Sequence, residues 1–122
     1  MKNVIITFAM ILLSLSVSCS PDFKTVTSLK GRTYVNEQTQ DKIEFTGDDT
    51  VVFTWSNYPG DLGSYQRNQP YAFHYEIHDN RELHVWGPAL SQSPGFPYRI
   101  MELSPSKDTI FADQNWKFER KP

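Results

Sequence analysis

The chain has 122 residues, with 14 Asp and Glu against 12 Lys and Arg, and aromatic side chains at 14% of positions. That length admits one domain, and the near-balance of charge leaves no basic face for DNA or RNA, so nucleic acid is not an expected partner. Cys19 is the only cysteine, which excludes an intramolecular disulfide.

Taken in chain order, the first element is a leader. Lys2 supplies a positive start, residues 4–15 (VIITFAMILLSL) form an apolar run, and Ser16-Val17-Ser18 are small or modest residues before Cys19. This is the pattern of a signal peptide over 1–18, and the apolar run is too short for a permanent membrane span. Leu15-Ser16-Val17-Ser18-Cys19 resembles the bacterial lipobox, although Ser16 stands where a large aliphatic residue is usual and Leu15 lies one place earlier. The resemblance implies that Cys19 becomes the mature N-terminus and carries a diacylglycerol and acyl chains such as palmitate. The partner is then the membrane, and the address is the outer membrane of the cell envelope. Ser20-Pro21-Asp22-Phe23 is similar to the short acidic tethers that send some lipoproteins to the cell surface, which implies surface exposure. Ordinary cleavage with a free Cys19 is the other reading. Residues 19–28 lack apolar periodicity and read as a flexible tether.

From residue 29 to 122 the pattern is that of one all-β domain, an antiparallel meander of about eight strands. An opening strand lies near 32–36. Ile43 and Phe45 alternate with Glu44, Thr46-Gly47-Asp48-Asp49 turns the chain, and Val51, Phe53 and Trp55 alternate with Val52 and Thr54. A loop of 47–49 sets Phe45 opposite Val51 and Ile43 opposite Phe53. Residues 71–77 alternate again, Asp79-Asn80-Arg81 turns, and Leu83 and Val85 follow, with Ile77 opposite Leu83 and Tyr75 opposite Val85. A third hairpin, 98–103 with 109–112, has a register open by one residue, and 116–119 is a last strand. Closing such a meander into a barrel protects its edges; an open β-sandwich is the alternative. Two stretches, 56–70 and 87–97, are rich in Gly, Pro, Ser and Asn and read as long loops.

The mature chain resembles the small lipocalin-like lipoproteins of bacterial envelopes. The resemblance rests on Leu29-Lys30-Gly31-Arg32-Thr33-Tyr34, similar to the opening Leu-x-Gly-x-Trp strand with Tyr34 in place of Trp, on the hairpin 43–51, on the pair 71–77 and 83–85, and on the closing segments 109–110 and 117–120. It implies a cup for a small apolar or amphipathic ligand, with Tyr34, Phe45, Phe53, Trp55, Phe73, Tyr75, Val85 and Trp116 as lining residues. An eight-stranded barrel can hold such a ligand or be filled by its own side chains.

Chemistry-bearing groups are few. His74, Glu76 and His78 share one strand face, and the register argued above places His84 opposite Glu76 and Trp86 opposite His74. A zinc-like metal could take His74, Glu76 and His84; ordinary cross-strand surface pairs are the alternative, and no other cofactor is implied. Asp48-Asp49 reads as turn chemistry, since the spaced ligands of a calcium loop are absent. No Gly-x-Ser-x-Gly elbow, phosphate loop or dinucleotide fingerprint occurs, so the expectation is a protein that is not an enzyme. Tyr58, Tyr65, Phe96 and Tyr98 lie in or beside the long loops, which offers a second reading: a surface interaction or inhibitor-type module recognising protein or carbohydrate.

Overall fold

The computed structural model describes residues 26–90, 96–113 and 116–122. The signal peptide, Cys19 and the tether up to residue 25 lie outside the described residues, as does 91–95 of the second long loop. Eight strands follow one another: β1 (Thr33–Val35), β2 (Lys42–Phe45), β3 (Thr50–Thr54), β4 (Pro70–His78), β5 (Glu82–Gly87), β6 (Phe96–Leu103), β7 (Thr109–Asp113) and β8 (Trp116–Arg120).

Each strand pairs antiparallel with the next, and β1 also pairs with β8 through Tyr34 opposite Arg120 and Val35 opposite Glu119. The sheet therefore closes into a barrel, and the open sandwich is ruled out. Side-chain alternation is the cause. Along β2 and β3, Ile43, Phe45, Val51 and Phe53 are buried while Lys42, Glu44, Val52 and Thr54 are half-exposed. Shifting either strand by one residue would turn its apolar set to water. The observed partners are those of the alternation argument: Phe45 with Val51, Ile43 with Phe53, Tyr75 with Val85 and Ile77 with Leu83. The turn at 79–81 is reached by placing Asp79 at φ 53° and Asn80 at φ 57°, two residue types that tolerate the left-handed region. Arg81 N–H then donates to the His78 carbonyl at 3.1 Å.

Two features were not set by the pattern. The open register resolves as Leu103 opposite Ile110 and Glu102 opposite Phe111. The second loop is shorter than expected, because β5 runs on to Gly87 and β6 starts at Phe96, where the two pair. A register shift precedes that pair, between Val85 and Gly87. Pro97 lies in the shifted stretch and has no N–H to continue a regular ladder.

The end of the barrel that carries the turns 46–49, 79–81 and 104–108 is filled. Leu29 is fully buried there. Gly31, at φ 86°, supplies the left-handed step that turns the chain from Leu29 into β1, and Arg32 N–H closes that turn on the Leu29 carbonyl at 3.0 Å. Tyr75 Oη donates to the Gly47 carbonyl at 2.9 Å and accepts Leu29 N–H at 3.1 Å. Tyr34 Oη donates to the Lys107 carbonyl at 2.5 Å. Tyr34, Phe45 and Tyr75 meet edge to face, at 5.6 and 4.8 Å between centroids. Burying each such ring contributes roughly 1.5–3 kcal/mol.

Candidate functional site

The opposite end stays open. A pocket of about 260 Å³ enters the barrel there, and its walls include Phe53, Trp55, Tyr58, Tyr65, Met101 and Trp116. Its position follows from the strands. Phe53 is the last inward residue of β3, and Trp55 follows one step beyond the strand end, packed against Phe53 at 5.5 Å and against Tyr65 at 4.9 Å. Trp116 opens β8 on the far side, where Tyr58 meets it edge to face at 5.3 Å. The pocket lies among these rings.

The loop 56–70 that supplies Tyr58 and Tyr65 is held by a buried carboxylate. Asp41, in the β1–β2 turn, is only 1% exposed. One of its oxygens accepts Ser56 N–H at 2.5 Å and Asn57 N–H at 3.1 Å, and the other accepts the Thr39 hydroxyl at 2.8 Å. Asn57 Nδ2 donates to the Thr39 carbonyl at 2.9 Å. Further along, Asn68 N–H donates to the Trp55 carbonyl at 2.7 Å and Gln66 N–H to Tyr71 Oη at 2.8 Å. Burial, aided by the neighbouring Tyr71, pushes the Tyr65 hydroxyl above its ordinary pKa, so it stays protonated through the neutral range.

Three charged groups share this mouth: Asp61, Asp113 and Arg99. Arg99 takes the inward phase, opposite Val85, with Leu83 and Met101 as the next pair, but at the rim of the pocket it is itself exposed. Val85 and Leu83 are fully buried. Tyr98 and Ile100 take the outward phase and are 57% and 55% exposed. Asp61 accepts Gly63 N–H at 2.8 Å, the hydrogen bond of a turn within the loop.

The lining residues expected from the sequence divide between the two ends. Phe53, Trp55 and Trp116 line the pocket. Tyr34, Phe45, Phe73, Tyr75 and Val85 are buried in the filled part of the barrel beneath it. Asp41, Arg99, Asp61 and Met101 were missed. Arg99 was hidden because its neighbours Tyr98 and Ile100 are the apolar pair that the eye assigns inward; the in-phase signal was Met101 and Leu103.

On the outer face of β4 and β5 the register brings Glu76 opposite His84 and Trp86 opposite His74, as expected. The side chains go elsewhere. His84 meets Tyr98 Oη through Nδ1 and Glu82 Oε1 through Nε2, at 2.5 and 3.1 Å, and its ring stacks on His78 at 3.8 Å. Glu76 reaches His78 at 3.5 Å, and His74 stacks on Trp86 at 5.7 Å. Among the described residues, no group of three His, Cys, Asp or Glu side chains is placed to hold a metal ion, so His74, Glu76 and His84 do not form an assembled ligand set.

The fold and site together define a class: a closed, eight-stranded, up-and-down antiparallel β-barrel with one filled end and one aromatic mouth, compatible with a lipocalin-like barrel. No family model, curated protein or solved structure matches this chain.

Proposed function

We propose that this chain is a lipid-anchored lipoprotein of the bacterial outer membrane, displayed at the cell surface, which binds a small apolar or amphipathic molecule without catalysing a reaction. One observation carries the binding part: a pocket of about 260 Å³ between tryptophan and tyrosine rings at one end of a barrel that is otherwise filled. Mostly apolar concave sites with a few polar groups are where small ligands bind. The anchoring part rests on the leader and on Cys19. Two or more acyl chains on that residue would hold the protein stably, at about 0.8 kcal/mol per buried CH₂.

The test is native mass spectrometry of the protein purified from membranes of its own host. The expected result is a chain that begins at Cys19, carries acyl mass on that residue and retains a small molecule. Cys19→Ser should move the protein out of the membrane fraction. A chain that still carries its first eighteen residues would sink the anchoring reading.

A second reading, an interaction module acting on protein or carbohydrate, is favoured by the exposed Leu90 in the second long loop and by Tyr98 stacked on Trp86 at 5.8 Å. Under it, ligand-free protein would capture a partner, and Leu90→Ser with Tyr98→Ser would abolish the capture.

A further inference from the structure

The mouth pocket has a side exit. Ile100, Met101, Ala112 and Asp113 help to line it. The same four residues line a larger cavity of about 600 Å³ on the outer face of β6 and β7, beside Phe111. An intact sheet does not allow this. Successive residues of a strand face opposite sides, so a residue that meets an inner cavity is hidden from an outer one. Met101 takes the inward phase of β6 and is buried, and Ile100 takes the outward phase and is exposed. Each nevertheless borders both cavities.

The pairing explains how. On its other side β6 is paired with β5 from Glu102 through Arg99 and again at Phe96. Between β6 and β7, among the described residues, the ladder holds only Leu103 opposite Ile110 and Glu102 opposite Phe111. Past Phe111 the pairing of β7 with β8 shifts register, before Asp113, and a shift of that kind bends a strand. The wall therefore parts between Met101 and Ala112, at the height where the two cavities meet.

From this geometry, which rests on the small-ligand reading above, we infer that the β6–β7 seam belongs to the binding site and that the ligand is a linear, single-chain amphiphile. It lies in the mouth pocket and passes its alkyl chain sideways through the seam onto the outer groove. Paired strands stand about 4.8 Å apart, so a parted seam between two neighbours admits a chain one methylene wide and stops a fused ring system. On the outside, Ile100 and Phe111 are two of the large apolar side chains left exposed on this fold, and they flank the groove that the chain would fill. Arg81, Glu82 and Glu102 stand at the far end of that groove, towards the turn at 79–81, where the apolar stretch stops.

The experiment measures by calorimetry the affinity of the purified protein for 1-hexanol, 1-octanol, 1-decanol and 1-dodecanol, and for 1-adamantanol, a compact alcohol with as many carbons as decanol. Each buried CH₂ is worth roughly four-fold in Kd. The expected result is that this gain continues through dodecanol, which then binds at least fifty-fold more tightly than octanol, and that decanol binds at least ten-fold more tightly than adamantanol. Ala112→Phe, which sets a ring in the seam, should end the gain near octanol. Ile100→Ser with Phe111→Ser, both at exposed positions, should weaken dodecanol at least ten-fold and hexanol less than two-fold. A gain that stops at octanol in the wild type, or adamantanol bound as tightly as decanol, would overturn the seam inference and leave the small-ligand reading intact. An undiminished gain in the double serine variant would overturn it as well, since the chain would then lie elsewhere. Failure of every alcohol to bind would remove both readings.

Discussion

The two ends of the barrel are built from the same kinds of residue and come out opposite. At the filled end, Tyr34 and Tyr75 are almost fully buried, and each hydroxyl finds a backbone carbonyl, Lys107 for one and Gly47 for the other. At the mouth, Trp55, Tyr65 and Trp116 are only half-buried and line a cavity. The difference lies in what crosses each end. Leu29 and the turn at Gly31 plug the first. A loop hung on Asp41 rims the second. Aromatic content alone therefore does not decide whether a barrel is filled; the capping segment does.

The comparison breaks hardest at the filled end. Phe45→Ala should cost about 3–5 kcal/mol, because Phe45 is 2% exposed and wedged between Tyr34 and Tyr75. Urea unfolding followed by circular dichroism measures this, and a loss under 1 kcal/mol would mean that this end is not the core. Asp41→Ala comes next, at roughly 2–3 kcal/mol, because it leaves the Ser56 and Asn57 N–H groups and the Thr39 hydroxyl without their acceptor. Asp41→Asn keeps an acceptor oxygen and should lose about half as much. Unlike Phe45→Ala, both should also shift Trp55 fluorescence in the still-folded protein, because Ser56 directly follows that ring.

A smaller effect separates the ends by pH. Burial pushes the Tyr34 hydroxyl above its ordinary pKa of 10.0, more than the nearby Arg32 and Arg120 charges lower it. A raised native value means that the folded protein holds the proton longer than the unfolded chain. The corresponding stability is complete below about pH 10 and is lost as the pH climbs through the native pKa. Tyr34→Phe should be about 1 kcal/mol less stable at pH 7, for want of its hydrogen bond. The gap between the two proteins should shrink above pH 10, since only the wild type still has this group to titrate. A gap that stays constant from pH 7 to 11 would show that Tyr34 does not titrate with unfolding.

The contrast between the ends also explains what could be read beforehand. Ile43, Phe45, Val51 and Phe53, and then Tyr75, Ile77, Leu83 and Val85, form clean alternations around short turns of Gly, Asp and Asn, so their registers were legible. Those are local patterns. The mouth depends on non-local ones. Nothing in the run around Asp41 says that its carboxylate will cap the amides of Ser56 and Asn57, fifteen residues and more away. The β6–β7 register hangs on Lys107 at φ 66°, a conformation its residue type does not advertise. The eight expected lining residues were inward-facing candidates, but alternation tells inside from outside and says nothing about height along the barrel axis. Only Phe53, Trp55 and Trp116 sit high enough to meet the cavity.

Height along the axis is also what the smallest prediction tests. The Tyr58 ring lies so close over Gly60 that a Cβ added there would come within 2.5 Å of Tyr58 Cε2. Gly60→Ala must therefore swing the ring away from its edge-to-face contact with Trp116. Such a contact is worth about 0.5–1.5 kcal/mol, and Gly60 is a loop residue remote from the core, so unfolding stability should change by less than about 1 kcal/mol. Binding should respond more visibly, because Tyr58 is part of the pocket wall: an apolar fluorophore bound at the mouth should dissociate with a Kd raised roughly five-fold. The same substitution should leave the filled end untouched, so amide exchange of Phe45 and Tyr75 should match the wild type. Unchanged fluorophore affinity, with Tyr58 shown to have moved, would mean that the ring is no part of the site and that the working depth of the pocket lies lower, between Phe53 and Met101.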